Sequence, residues 1–124
     1  QALQHDDVVE ALDGLLQAVV VTFTREGCPP GCAVLSANIG GNFAAGAIIT
    51  DLRADTLQMI ADRIARGVHE GQLAATTDVE SLSRFVYAQM VGLSGQARDG
   101  ASREALASTA TLASEAIRAW VAHG

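Results

Sequence analysis

Cysteine, proline, aromatic and basic residues are all scarce in this chain, and each shortage excludes something. Two cysteines in 124 residues are too few for the disulfide framework that staples small secreted domains. Two prolines leave long stretches free to run as helix. Lys and Arg number 8 against 14 Asp and Glu, a formal charge of −6, and no basic run occurs. A domain that binds nucleic acid by itself needs a basic face to meet phosphates, so no DNA or RNA binding by this chain alone is expected. The longest apolar runs are too short to cross a bilayer, and no signal-peptide pattern opens the chain. A cytoplasmic protein with no membrane partner is therefore expected.

Catalytic patterns are missing too. There is no Ser-His-Asp order, phosphate loop or metalloprotease motif, so neither an enzyme nor a catalytic residue is expected. Asp51, Asp55 and Asp62 are interspersed with Arg53, Arg63 and Arg66, which reads as a solvated helix face. His5 and His123 lie near the ends, and His69 suits the C-terminus of a helix. Cys28 and Cys32 form C-P-P-G-C, the most chemical-looking pair. Its spacing is not that of a redox C-x-x-C, and two thiolates fall short of the four ligands zinc usually takes. No metal and no cofactor are expected. Thiol or metal sensing through Cys28 and Cys32 is the alternative function.

What is present is helical. Hydrophobic residues make up 49%, and strand patterns are weak. Val8, Leu12, Leu15, Leu16, Val19 and Phe23 recur at helical spacing behind Asp6-Asp7, either of which can cap the helix. The run Val19-Val20-Val21-Thr22 is β-branched and would also suit a strand, but the periodicity reaching back to Val8 favours helix. Pro29-Pro30 separates this helix from a short one over Cys32 to Ile39. Asn42 can cap a long helix to about Glu70, stopped by Gly71, with Ile48, Ile49, Leu52, Met59, Ile60 and Ile64 inward. The stretch from Thr77 to Val121 reads as a helical hairpin. Thr77 and Glu80 have capping-box spacing, Asp99-Gly100 makes the turn, and Ser102 caps the last helix. The first arm is apolar on two sides (Leu82, Phe85, Val86, Tyr87, Met90, Val91, Leu93), so two surfaces need cover. An all-α bundle of about five helices is predicted.

Several segments in order resemble the C-terminal ligand-binding and dimerisation domain of TetR-family transcriptional regulators. They are Gly31-Cys32-Ala33-Val34-Leu35, Glu70-Gly71-Gln72-Leu73 through Asp78, and Gly92-Leu93 through Ala97-Arg98-Asp99-Gly100-Ala101-Ser102. The resemblance covers nearly the whole chain. It implies one regulatory domain over 1–124, whose last two helices pair with a second copy in an intermolecular four-helix bundle. It also implies a small, largely apolar effector as ligand. Nothing matches the family's N-terminal helix-turn-helix domain, so DNA is expected to be reached only through such a domain, absent here. Candidate ligand-binding residues are Leu16, Val20, Phe23, Leu35, Asn38, Ile39, Met59, Ile60, Ile64, Phe85 and Gln89, with Tyr87 a further polar handle. The same residues can instead simply pack a core. Candidate dimer-interface residues are Leu82, Val86, Leu93, Leu106, Ala110, Ala113, Ile117 and Trp120.

Overall fold

A computed structural model describes residues 2–25 and 43–123, with side chains described for 2–25 and 52–123. A 3-10 turn over Ala2–Gln4 leads into α1 (Val8–Phe23), α2 (Phe43–His69), α3 (Val79–Arg98) and α4 (Arg103–His123). No strand occurs among the described residues, and the β-branched run at the end of α1 is helical. The short helix expected over Cys32 to Ile39 lies outside the described residues, as do Asn42, Cys28 and Cys32.

Local chemistry sets most of the boundaries. Asp7 Oδ1 accepts a 2.9 Å hydrogen bond from the Glu10 N–H, satisfying one of the free amides at the start of α1. Helices α2 and α3 end alike. Gly71 (φ +80) and Gly100 (φ +94) take the left-handed conformation. The next residue, Gln72 or Ala101, donates back to Gly67 O at 2.9 Å or Gln96 O at 3.0 Å. The glycine itself donates to Val68 O or Ala97 O, completing a Schellman motif at each end. Ser102 caps α4 as expected, its Oγ accepting from Ala105 N–H at 3.1 Å. The start of α3 is displaced by one residue from expectation. Asp78, not Thr77, is the cap, accepting from Ser81 N–H at 3.0 Å and Ser81 Oγ–H at 2.7 Å. The Thr77 hydroxyl is engaged upstream with Ala74 O, and Glu80 pairs with Arg84 on the surface.

Helix α1 lies at the centre and packs on α4 and α3, while α2 packs chiefly on α3. Its stripe of Val8, Ala11, Leu12, Leu16, Val20 and Phe23 is buried. Side-chain contacts join α1 to α4 along their length: Glu10 with Arg118 at 2.7 Å, Asp13 with Ser114 at 2.6 Å, Gln17 with Thr111 at 3.0 Å, and Thr24 with Arg103 at 2.9 Å. Residue numbers rise on α1 as they fall on α4, so the two helices run antiparallel and these contacts hold one register. The outer pair is half-exposed and contributes little by charge alone. Ser114 is fully buried, and its bond to Asp13 carries more weight.

Three expectations for α2 are corrected. Leu52 and Met59, expected inward, are each 44% exposed. They lie seven residues apart on one face, beside the buried stripe of Ile60, Ile64 and Gly67. Arg63, expected on the wet face, is 5% exposed. It falls on the buried stripe because it meets backbone carbonyls of the entry turn, which need a donor. Gly67, one turn further on, admits α1. A Cβ there would stand 3.0 Å from Val8 Cβ and Cγ2. We expect Gly67→Ala to lower the unfolding free energy by about 1–3 kcal/mol through overpacking, despite alanine's better helix propensity. Urea denaturation monitored by circular dichroism measures this.

Candidate functional site: the outer face of the α3–α4 hairpin

Helices α3 and α4 run antiparallel, so the start of α3 and the end of α4 share one end of the molecule. Each arm carries two apolar stripes. The inner ones, Leu82, Val86, Met90, Leu93 and Ala97 on α3 and Leu106, Ala110, Ala113 and Ile117 on α4, are buried. Seven of the eight residues expected at a dimer interface belong to these buried stripes. Leu82, Val86, Leu93, Leu106, Ala110, Ala113 and Ile117 join the chain's own core, because α1 needs apolar cover on the sides facing α3 and α4. Only Trp120 of that set reaches the surface, at 45% exposure.

The exposed stripe on α4 lies beside the inner one and repeats every four residues: Leu112, Ala116 and Trp120. On α3 the outer face carries Ser81, Phe85, Ala88 and Gly92, and a Cβ added at Gly92 would meet nothing within 4 Å. Between the arms, Ser81, Leu82, Phe85, Ala116, Ile117 and Trp120 line an apolar cleft of ≈ 290 Å³. A shallower hollow of ≈ 420 Å³ adjoins it, lined by Thr76, Thr77, Asp78, Ala119, Trp120, Val121 and His123. Trp120 is common to both. At the hollow's edge, the Ser81 N–H and then the Ser81 hydroxyl hold the Asp78 carboxyl below its ordinary pKa. The four-residue spacing of Leu112, Ala116 and Trp120 was the signal that could have separated the outer stripe from the inner one.

The expected ligand-binding residues divide four ways. Leu16, Val20 and Phe23 of α1 and Ile60 and Ile64 of α2 are all buried in the chain's core. Met59 and Phe85 face outward, each one residue away from a buried position. Gln89 and Tyr87 are half-buried. Leu35, Asn38 and Ile39 lie outside the described residues. Among the described residues no group of three His, Cys, Asp or Glu could hold a metal ion, and no helix is long and apolar enough to cross a membrane.

Solved structures supply the relatives. A cysteine-substituted variant of the TetR-family transcriptional regulator CifR, complexed with 26-base-pair operator DNA, matches with a TM-score of 0.85 and 32% identity. The match covers 93% of this chain and 62% of that one. The chain is TetR-like in fold and in sequence. A second CifR variant, also complexed with operator DNA, matches at 0.83 and 31% identity, over 90% of this chain and 60% of the other. A putative TetR regulator from Rhodococcus sp. RHA1 matches at 0.80 and 33%, over 93% and 63%. The TetR-like chain thus spans somewhat less than two thirds of the length of these regulators. No protein-family model matches the sequence, and no curated protein matches it.

The inner and outer stripes of this TetR-like hairpin make separable demands. Ile117→Ala should cost about 2–5 kcal/mol of unfolding free energy, as core truncations do, even at dilutions where the chain is monomeric. A cost that appears only at concentrations where chains associate would return Ile117 to an interface. Denaturant titrations at two protein concentrations distinguish these outcomes.

Proposed function

We propose that this chain is the effector-sensing and dimerisation part of a TetR-like transcriptional repressor, acting on DNA through a helix-turn-helix domain of the parent protein. The observation that carries the reading is the outer hairpin face. Phe85, Leu112 and Trp120 stay exposed there after the chain has completed its own core, in a fold shared with operator-bound regulators. Contiguous apolar surface of this kind marks an interaction site. A second copy related by a two-fold axis covers it with the same surface and leaves no open end. The small residues Ala88, Gly92 and Ala116 let the facing helices approach closely. The result is a four-helix bundle made by two hairpins.

In this reading the effector is a small, largely apolar molecule that takes Phe23, Val20, Ile60 and Ile64 as its apolar wall, with Gln89 as a polar handle. A ligand shifts a conformational equilibrium only by its difference in affinity between the two states. Here the two states differ in how α2 sits against α1 and α3. In a dimer that difference changes the separation of the two DNA-reading heads, which must match half-sites about one helical turn apart.

Sedimentation at tens of micromolar should show a dimer. Trp120→Glu and Leu112→Glu should each give a folded monomer, because both sites are exposed within the chain. Ala113→Glu, by contrast, would place its charge in the chain's own core. A wild-type monomer under these conditions removes the dimer. In a thermal-shift panel, apolar compounds should raise Tm, since a ligand at 100 times its Kd adds about 2.7 kcal/mol to stability. A panel without a stabiliser removes the sensing role.

A further inference from the structure

A buried polar side chain away from the hairpin holds a distant part of the chain. Arg63, on the buried side of α2, is 5% exposed and bonds to backbone some 60 residues away. Its Nε donates to Leu3 O at 2.9 Å. Its Nη2 donates to His5 O at 2.8 Å and, at 3.4 Å, to Asp6 O. Burial and then the charge of Arg66 lower its pKa from the ordinary value. Among the described residues its Nη1 has no hydrogen-bond partner. Gln72, just past α2, holds the same segment from the other side. Its Nε2 donates to Asp6 O at 2.6 Å, and its Oε1 accepts from Val8 N–H at 2.7 Å. That N–H is the first amide of α1, which no carbonyl inside the helix can satisfy. Between the two, Gly67 lets Val8 come into direct contact with α2.

One end of α2 therefore grips residues 3–8 at three places. Two of the grips are on main-chain atoms, which cannot swing away as side chains do. Pulling Arg63 out would strand buried carbonyls and leave a guanidinium without acceptors, the arrangement that costs most in a protein interior. We propose that Arg63, aided by Gln72, is the coupling residue of this fold. A displacement of α2 is carried into the entry segment, residues 3–8, which moves with the C-terminal half of α2 as one body. The proposal rests on the sensing reading, in which a ligand repositions α2 and the chain before α1 leads to the DNA-reading domain. It makes Arg63 a positioning residue that touches neither ligand nor DNA.

The entry turn has a rival support. It also packs on α1, where a Cβ at Gly14 would stand 3.4 Å from Ala2 Cβ. The experiment must therefore ask which helix the segment follows. Ile60→Val removes one methyl group from the buried face of α2 and introduces no aromatic ring, so amide shifts at a distance report displacement. Backbone NMR spectra of the whole chain are compared with and without this change, in the wild-type and Arg63→Met backgrounds. In the wild-type background, Ile60→Val should shift the amides of His5, Asp6, Asp7 and Val8. With Arg63→Met those shifts should shrink several-fold, while the shifts in α3 persist. Arg63→Lys, which retains the charge but not the forked donors, should fall between. Equal responses in all backgrounds, or none in any, overturn the proposal and assign the entry segment to α1. If Arg63→Met does not fold, Gln72→Leu decides, because Gln72 is exposed. A reduced response at Asp6 to Val8 supports the clamp, and an unchanged one overturns it. Neither ligand nor DNA enters the measurement, so a negative result removes the clamp and leaves the sensing reading standing.

Discussion

Burial of the apolar stripe of α1 is the constraint on which the rest of the structure depends. Six side chains from Val8 to Phe23 must leave water, and α1 offers no partner of its own. A fully buried aliphatic or aromatic side chain is worth about 1.5–3 kcal/mol, so covering this stripe is the largest local gain available. Helices α3 and α4 supply most of the cover, and α2 closes the start of α1. The price is that the inner faces of the hairpin are consumed within one chain. The polar contacts from Glu10 to Thr24 then select one register among the several that an alanine-rich α4 would tolerate.

The outer hairpin face follows from that geometry. An α-helix with apolar residues on two sides can satisfy only one of them against a single central helix. The second stripe, with Phe85, Leu112 and Trp120 at its ends and small residues between, is left to water or to a partner. Ala88, Gly92 and Ala116 keep side chains short along it, and a cleft opens between Phe85 and Trp120. The buried side chains of α1 and α2, Val20, Phe23, Ile60 and Ile64 among them, belong to the core. Helix α2 meets the hairpin chiefly through its packing on α3.

At the other end of α1 the logic changes from apolar to polar. In the entry segment the carbonyls of Leu3, His5 and Asp6 meet donors from α2 and its exit, Arg63 and Gln72. The lack of a side chain at Gly67 allows the contact to be close enough for both. An arginine in that position looks costly by solvation alone, yet it has carbonyl acceptors within reach and a cluster of carboxylates, Asp6, Asp7 and Glu70, whose charges favour its protonated form.

The four described helices and most of their ends were legible in the sequence, because capping is local. Asp7, Gly71, Gly100 and Ser102 act on amides and carbonyls within a few residues of themselves. Even there, Thr77 and Asp78 competed one residue apart, and the hydrogen bonds of Ser81 decided for Asp78. The TetR-like character was also legible, since it lies in the order of segments along the chain. The assignment of faces was not. Helical periodicity shows that Leu82, Val86 and Ile117 must be covered, but the same spacing serves an intramolecular neighbour and a second copy equally well, so only tertiary packing on α1 placed them inside. Met59 and Phe85 lay one residue from buried positions, where a turn of roughly 100° separates core from solvent. Arg63 had the sequence signature of a surface charge. Its burial was decided by carbonyls about sixty residues away, which no local pattern around Arg63 encodes.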